Sequence, residues 1–191
     1  MLRCDITQEG LLDPLLRWLR LRQVMAHIPV GAILLDVGCG RSAAFLNAVG
    51  SIIEQGIGVD FKVETSTIQN LQTLQLKLFD QLPFADASFD VVTLLAVLEH
   101  LENEQQILKE IYRVLKPNGK LVLTVPSVWA QPVLEFLAYR LKMIDEREIR
   151  DHKRYYNRHK LQIALTSQIP FKNFRHDYFQ CWMNNFCTVT K

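Results

Sequence analysis

The residues with the clearest chemical potential are two glycines that follow an aspartate at the end of a short apolar run. The stretch AILLDVGCG contains Asp36, then Gly38 and Gly40, and a second apolar run, QGIGVDF, contains another acid, Asp60. Glycine lets the backbone turn sharply and approach a ligand closely because no Cβ is in the way. In open parallel sheets, ligands bind beyond the carboxyl ends of the strands, where such turns occur. The pattern therefore predicts a ligand site with carboxylates beside a glycine turn.

Two classes of cofactor fit this spacing. Gly38, Gly40 and Ala43 read as GxGxxA, and Asp60 lies about twenty residues further on, as in the dinucleotide fingerprint of nicotinamide-dependent oxidoreductases. Asp36 argues against that class, because a carboxylate at the strand end would repel a pyrophosphate. S-adenosylmethionine carries a sulfonium, an amino group and a ribose diol but no phosphate, so the acid would attract it. S-adenosylmethionine is therefore the predicted cofactor, and an NAD(P)-dependent oxidoreductase is the alternative.

The elements that position these residues are indicated by apolar runs of strand length that alternate with helical patterns. Five runs have strand length: residues 32–37, 55–61, 74–79, 89–97 and 120–126. Residues 102–115 place four apolar side chains on one helical stripe, whereas residues 61–72 show weak periodicity, so any helix there is short. Strands that alternate with helices predict an open, mostly parallel α/β sheet covered on both faces.

The two ends of the chain carry further elements. A leading helix is expected from Asp13 to about residue 27, since proline follows the aspartate at the first helical position. Beyond Pro126 the pattern changes to a helix through residues 132–144 and a second helix that begins near Asn157. The last two segments, FRHDYF and FCTVTK, are expected to pair as a hairpin at the sheet edge.

The length of the chain predicts a single domain. Its 191 residues are enough for one substantial hydrophobic core. The domain is expected to have three parts: an N-terminal helix (1–30), a cofactor-binding core (31–126) and an acceptor-side cap with the edge strands (127–191).

Composition limits the partners and the compartment. Lys and Arg total 22 and Asp and Glu total 20, so the net charge of +2 gives no basis for a nucleic-acid partner. The four cysteines form no CxxC pair and no metal-ligand spacing, which favours a reducing cytosol and predicts no metal. No apolar run reaches about 18 residues, so stable membrane insertion is not expected. These features favour a cytoplasmic protein, and the expected oligomeric state is a monomer or homodimer.

Five segments occur in an order typical of one enzyme family: LLDVGCG, GVDF, LPFADASFDVV, LAVLEHL and EIYRVLKPNGKLVLTVP. With them the chain resembles the class I S-adenosylmethionine-dependent methyltransferases, in particular the type 11 group. The resemblance covers residues 32–126 well and the remainder loosely. It implies a Rossmann-like, doubly wound, mostly parallel sheet with a C-terminal antiparallel edge hairpin. It also implies transfer of a methyl group, with S-adenosylhomocysteine as the product.

The resemblance assigns cofactor contacts to eight residues: Asp36, Gly38, Cys39, Gly40, Asp60, Phe61, Asp80 and Leu95. In the family, the first acid and the glycines surround the methionine part of the cofactor. The resemblance further implies that Asp60 accepts hydrogen bonds from both ribose hydroxyls, that Phe61 lies against the adenine and that Asp80 meets the adenine amino group. The connection from Asp60 to the third strand is brief, which predicts that one flanking helix is missing or reduced to a turn.

Three residues are candidate catalytic groups: His100, His152 and Tyr155. A hydroxyl or carbon-acid acceptor needs a base, and His100 follows the fourth predicted strand, where an acceptor would approach. The alternative is a histidine that only hydrogen-bonds the backbone. The segment IRDHKRYY, which contains His152 and Tyr155, follows the fifth strand, where this fold builds acceptor specificity, and its alternative is a solvated loop.

The acceptor implied by the resemblance is a small or lipid-linked molecule, and a catalytically inactive cofactor-binding module or partner subunit is the alternative. Residues 140–160 carry eight basic and four acidic side chains, an excess that would attract an anionic acceptor. The alternative for that excess is a solvated face. The first helix carries Arg17, Arg20 and Arg22 beside Trp18 and several leucines. Its apolar stripe is expected to pack on the sheet, and a position on a membrane surface is the alternative.

Overall fold

The computed structural model describes residues 13–77, 81–136, 140 and 153–191, and a single eight-stranded sheet runs through them. The strands are β1 (Ile33–Val37), β2 (Gln55–Asp60), β3 (Ser66–Ile68), β4 (Leu71–Gln75), β5 (Phe89–Leu95), β6 (Leu115–Pro126), β7 (Lys172–Phe179) and β8 (Asn184–Thr190). The helices within the described ranges are α1 (Asp13–Met25), α2 (Ala44–Val49), α3 (Glu104–Val114), α4 (Ala130–Glu135) and α5 (Arg158–Thr166), with a 3-10 turn, η1, at Leu98–His100.

The sheet has the predicted Rossmann-like organisation. Its strand order is β3-β4-β2-β1-β5-β6-β8-β7, and the five strands from β4 to β6 in this order are parallel. Strands β8 and β7 are antiparallel and form the C-terminal edge hairpin. Because β1 is central and parallel to both of its neighbours, the carboxyl ends of β1, β2 and β5 meet at one edge of the sheet.

Two apolar layers cover the faces of the sheet. Successive residues of a strand point to opposite faces, so Leu34 packs in the layer that contains α1 and α2, and Leu35 packs in the layer that contains α3 and α5. Both leucines are fully buried. The continuous apolar runs of β1 and β5 follow from this burial on both sides.

The region between β2 and β5 differs in part from its prediction. The third parallel strand, predicted at residues 74–79, is β4, which lies at 71–75, and β3 forms a short antiparallel strand where a helix would flank the sheet. The predicted loss of one flanking helix is therefore confirmed. The side-chain nitrogen of Asn70 donates to the carbonyl oxygens of Gly50 and Ile53 at 2.9 and 3.0 Å, and this contact fixes where β4 begins.

The C-terminal elements largely follow their predictions. Helix α5 begins after Asn157, whose side-chain oxygen accepts a hydrogen bond from the amide of Lys160 at 2.9 Å. The hairpin of β7 and β8 is confirmed. The helix predicted over 132–144 begins as α4, and most of its second half lies outside the described residues. No helix among the described residues is long and apolar enough to cross a membrane.

Candidate functional site

The glycine turn after β1 is bonded to the end of β2. The amides of Gly38 and Cys39 donate to the carbonyl oxygen of Val59 at 2.8 and 3.2 Å. The amide of Gly40 donates to Oδ2 of Asp60 at 2.9 Å. The turn is therefore held across the tips of two neighbouring parallel strands, and three of its amides are engaged within the protein.

The two glycines have different surroundings, although both have left-handed backbones, with φ of +79° at Gly38 and +69° at Gly40. A Cβ on Gly38 would lie 2.3 Å from a methyl group of Val97, whereas a Cβ on Gly40 would meet nothing within 4 Å. The sequence-based interpretation gave both glycines the role of making room for a ligand. In the structure Gly38 makes room for Val97, and Gly40 faces open space.

Asp36 is enclosed in the sheet at the end of β1, with 2% of its surface exposed. Its Oδ1 accepts a hydrogen bond from the hydroxyl of Thr93 on β5 at 2.7 Å. Burial raises the pKa of Asp36 to about 7, with the Thr93 hydrogen bond opposing the rise and the charge of Asp60 adding to it. A nearby cation would reverse this effect, because it would stabilise the ionised carboxylate.

Asp60 ends β2 and is 8% exposed. Its two oxygens accept hydrogen bonds from the amides of Gly40 and Lys62, at 2.9 and 2.7 Å. A carboxylate has about four lone-pair sites, so each oxygen keeps capacity for one further donor. Phe61 follows with 59% of its surface exposed, and the Lys62 ammonium lies 5.1 Å from the centre of its ring. A carboxylate with spare acceptor capacity thus stands next to an exposed aromatic ring.

Cys39, within the glycine turn, packs against Gly58 of β2. A Cβ on Gly58, the partner of Asp36 in the β1–β2 register, would lie 2.9 Å from the Cys39 sulfur. Burial, assisted by the charges of Asp36 and Asp60, raises the pKa of the Cys39 thiol to about 12. The thiol therefore stays protonated near neutral pH and acts as a packing group.

The loop after β5 contacts the glycine turn and then leads to α3, which lines a separate cleft. Leu95 ends β5, and Ala96 adopts a left-handed backbone with φ of 56° while its amide donates to the carbonyl of Thr124 at 2.8 Å. Val97 then contacts Gly38, and the amide of His100 donates to the Val97 carbonyl at 2.9 Å. A left-handed alanine is strained, and such strain concentrates where a loop must take one fixed path.

The second cleft has a volume of about 700 Å³ and lies between the start of α3 and helix α5. Tyr155, Lys153 and Lys160 line it, together with Arg154, whose Nη1 donates to the carbonyl oxygen of Leu101 at 2.7 Å. Its walls combine apolar and polar side chains from α3, α4, α5 and the segment that precedes α5, and its charged lining residues are three basic side chains and one acid.

The neighbouring Tyr156 is buried, with 3% of its surface exposed. Its hydroxyl donates to the carboxylate of Glu104, and burial together with this bond raises its pKa. Tyr156 therefore stays protonated and joins the start of α3 to the segment before α5. Sequence analysis did not single out this pair, because its members lie 52 positions apart.

The structure brings most of the sequence-predicted cofactor residues together. Six meet at the tips of β1 and β2, namely Asp36, Gly38, Cys39, Gly40, Asp60 and Phe61, and Leu95 ends the adjacent β5. Asp80 and His152 lie outside the described residues. His100 lies on the loop between the glycine turn and the cleft, and Tyr155 lines the cleft. Within the described ranges, no cluster of three His, Cys, Asp or Glu side chains could hold a metal ion.

Comparison with known sequences finds similarity to methyltransferases. The family described as a methyltransferase domain matches residues 35–123. A demethylmenaquinone methyltransferase of Lactobacillus johnsonii is 35% identical over 120 residues, which is 56% of this chain and 49% of that protein. The demethylmenaquinone methyltransferase of Bacillus cereus is 32% identical over 116 residues, or 55% of this chain and 49% of that protein. The chain thus spans about half the length of the curated relatives it matches.

Solved structures share the fold over nearly the whole chain. In a Haloferax volcanii complex of the Trm112 methyltransferase activator with a methyltransferase, the matched chain has a TM-score of 0.72 at 17% identity and covers 94% of this chain and 91% of that one. An S-adenosylmethionine-dependent methyltransferase from Mesorhizobium loti has a TM-score of 0.67 at 15% identity, and the match covers 94% of this chain and 100% of that one. The fold is that of the class I methyltransferases. The sequence match to the methyltransferase-domain family covers residues 35–123, slightly less than half of the chain.

The raised pKa of Asp36 predicts how stability depends on pH. The folded protein keeps the Asp36 proton up to about pH 7, whereas the unfolded chain loses it near the ordinary value of 3.8. Because the folded state binds more protons in this window, this residue's contribution to the free energy of unfolding falls as pH rises. We expect Asp36→Asn to remove that contribution, as judged by urea unfolding between about pH 4 and about pH 8. Identical pH profiles for the two proteins would contradict the assignment.

Proposed function

We propose that the chain is an S-adenosylmethionine-dependent methyltransferase that acts on a small-molecule or lipid-linked acceptor. The observation that carries the proposal is the pair of buried carboxylates, Asp36 and Asp60, at adjacent parallel strand ends with a glycine turn between them. The space in front of Gly40 is open, which leaves room for a ligand at the turn. The match of residues 35–123 to the methyltransferase-domain family supports the same cofactor.

The charge at the turn favours a cationic nucleoside over a dinucleotide. A pyrophosphate needs free amides, but those of Gly38, Cys39 and Gly40 already donate to Val59 and Asp60. The carboxylate of Asp60, and that of Asp36 wherever it is ionised, would also repel its negative charge. The same carboxylates would stabilise the sulfonium and amino groups of S-adenosylmethionine. These contacts argue against the NAD(P)-dependent alternative.

Each part of the cofactor has a matching group. Asp60 keeps one acceptor site on each oxygen, which suits a ribose diol. The exposed ring of Phe61 would lie against the adenine. Asp36 is enclosed, so it would act on the cationic methionine part through its charge from behind the glycine turn. Cys39 and Leu95 would complete the walls on either side.

The bound cofactor would supply a methyl group already activated on a sulfonium. The work left to the protein is to align the acceptor and to exclude water, which is worth on the order of 7 to 11 kcal/mol in well-oriented systems. Asp60 and Phe61 would orient the cofactor for this step. The loop that carries Val97 and His100 would separate the donor from solvent, since it runs from the glycine turn towards the cleft between α3 and α5.

The acceptor would enter on the side of the 700 Å³ cleft. Three basic side chains line it, and two of them are ion-paired, Lys153 with Glu102 and Arg154 with Glu104. The remaining positive charge, on Lys160, supports an acceptor with carboxylate or phenolate character. Tyr155, which lines the cleft, and His100, on the adjoining loop, are the described candidates to hold or remove an acceptor proton. Tyr156 is excluded from that role because its hydroxyl is committed to Glu104 and its pKa is raised.

Removing the exposed ring tests the cofactor site with little disturbance of the core. We expect Phe61→Ala to weaken the binding of S-adenosylhomocysteine about tenfold or more, because stacking on a base is worth about 1 to 3 kcal/mol. Phe61→Tyr should bind nearly as the wild type does. Ile68→Ala is the matched control, since Ile68 is 68% exposed on β3 and lies away from the turn. Calorimetry measures all four proteins, and unchanged affinity in Phe61→Ala would contradict the site.

A transfer assay tests the activity itself. Labelled S-adenosylmethionine is incubated with the protein and demethylmenaquinone, the acceptor for which the curated relatives are named, or with a cell extract. We expect label in an acceptor with the wild type and almost none with Asp60→Ala, which loses the sugar contact. Phe61→Tyr serves as the active control. Cofactor binding without transfer to any acceptor would instead support the inactive binding module, and tight NAD binding would support the oxidoreductase.

A further inference from the structure

All three tryptophans of the chain are exposed. Trp18, Trp129 and Trp182 have 52%, 67% and 69% of their surface accessible. Tryptophan is a large side chain that is highly buried on average in folded proteins. Single exposed apolar residues are ordinary, but a contiguous group of them marks an interaction surface. If the three rings lie together, they form a surface that one partner could cover.

Hydrogen bonds gather the three tryptophan-bearing segments at one end of the molecule. The Gln180 side chain, in the β7–β8 turn, donates to the carbonyl of Leu16 in α1 at 2.8 Å. The hydroxyl of Ser127 donates to the carbonyl of Trp182 at 2.5 Å and accepts from the amide of Trp129 at 3.2 Å. The turn that carries Trp182 is thus tied on one side to α1 and on the other to the start of α4.

Helix α4 extends the exposed surface. Trp129, Val133 and Phe136 recur at helical spacing and are 67%, 42% and 53% exposed, so they form one apolar stripe. We call the six exposed apolar residues of this end the tryptophan face: Leu15, Trp18, Trp129, Val133, Phe136 and Trp182. Removing such a face from water would be favourable.

The tryptophan face lies at the same edge of the sheet as the glycine turn. Pro126 ends β6, which is parallel to β1 and β5 through the sheet, and it pairs with Asn184 at the start of β8. The β7–β8 turn and the start of α4 therefore project beyond the carboxyl ends of the parallel strands. A surface that covered the tryptophan face would approach the proposed donor site from the acceptor side.

Basic side chains accompany the aromatic ones. Residues 15–25 of α1 contain three arginines and no acid, and the Arg22 guanidinium lies 5.5 Å from the centre of the Trp18 ring. Indole rings favour the boundary between lipid headgroups and acyl chains, and arginine beside them favours anionic headgroups. The combination complements a membrane surface better than it complements an acidic protein, which would leave the apolar stripe uncovered.

We propose that the tryptophan face docks this protein on the surface of an anionic lipid bilayer. The rings would enter the headgroup boundary while the sheet stays in water, so no spanning helix is needed. Docking does not depend on methyl transfer. If the acceptor is lipid-linked, docking would place the acceptor side of the protein where that acceptor resides, and free diffusion of the acceptor through water would be unnecessary.

Vesicle binding without cofactor tests this proposal separately from the proposed activity. Because every tryptophan belongs to the face, intrinsic fluorescence reports on it directly. With vesicles of phosphatidylcholine and phosphatidylglycerol in a roughly 3:1 ratio we expect emission to shift to shorter wavelength and the protein to co-sediment, and with phosphatidylcholine alone much less. Added salt should weaken the binding, since its electrostatic part is screened.

Substitutions within the face provide the quantitative test. We expect Trp129→Ala and Trp182→Ala to weaken partitioning about tenfold each, and Arg22→Gln about fivefold on the anionic vesicles only. Val30→Ala is the matched control, because Val30 is 85% exposed at the opposite edge, just before β1. Circular dichroism and thermal melting check that each variant is folded. Equal partitioning of the tryptophan variants and the control would overturn the proposal.

Other occupants of the face give different results. If the protein ignores both kinds of vesicle and its emission shifts with protein concentration as a dimer forms, the face joins two copies of the chain and the proposal is wrong. If the tryptophans of the monomer are already shielded from acrylamide, another segment of the chain covers them, and the proposal is again wrong. Failure of the methyl-transfer assay, by contrast, leaves vesicle binding unaffected.

Discussion

The hydrogen bond from the amide of Gly40 to the carboxylate of Asp60 is the contact on which the candidate site depends. Together with the two amides that donate to Val59, it fastens the turn after β1 to the end of β2. This bond fixes the direction of the Asp60 carboxylate and leaves the backbone in front of Gly40 open. The parallel strands of the sheet bring the ends of β1 and β2 together. The groups that could bind a ligand are the turn and its two acids.

Placing two carboxylates in a poorly solvated site has an electrostatic consequence. Burial and mutual repulsion disfavour ionisation of Asp36, whose pKa is raised to about 7, and the Thr93 hydroxyl offsets only part of this effect. A cation in front of the turn would relieve the repulsion, whereas an anion would add to it. The arrangement therefore selects for positive charge before any shape complementarity is considered, and this is the physical reason to favour a sulfonium nucleoside over a dinucleotide.

The sequence predicts the parts of this structure that depend on local patterns. The runs of β1 and β5 are apolar because both faces are buried, and the spacing of the first acid and glycines carries the turn. The position of β4 depends instead on Asn70, which anchors it to residues 17 and 20 positions away. Contacts such as Thr93 with Asp36, and Val97 with Gly38, join distant positions and leave no periodicity. The sequence likewise does not reveal that the tryptophans are exposed, because the leucines beside Trp18 favour an apolar helix face packed on the sheet.

The most direct measurement is a crystal structure of the protein with S-adenosylhomocysteine. We expect the nucleoside over Gly40, with both ribose hydroxyls donating to Asp60, the adenine against Phe61 and the amino-acid tail on the side of Asp36. Two results would contradict the proposed site. The nucleoside could bind in the cleft between α3 and α5 instead, or the turn could stay empty at a saturating ligand concentration because Val97 and its neighbours block it.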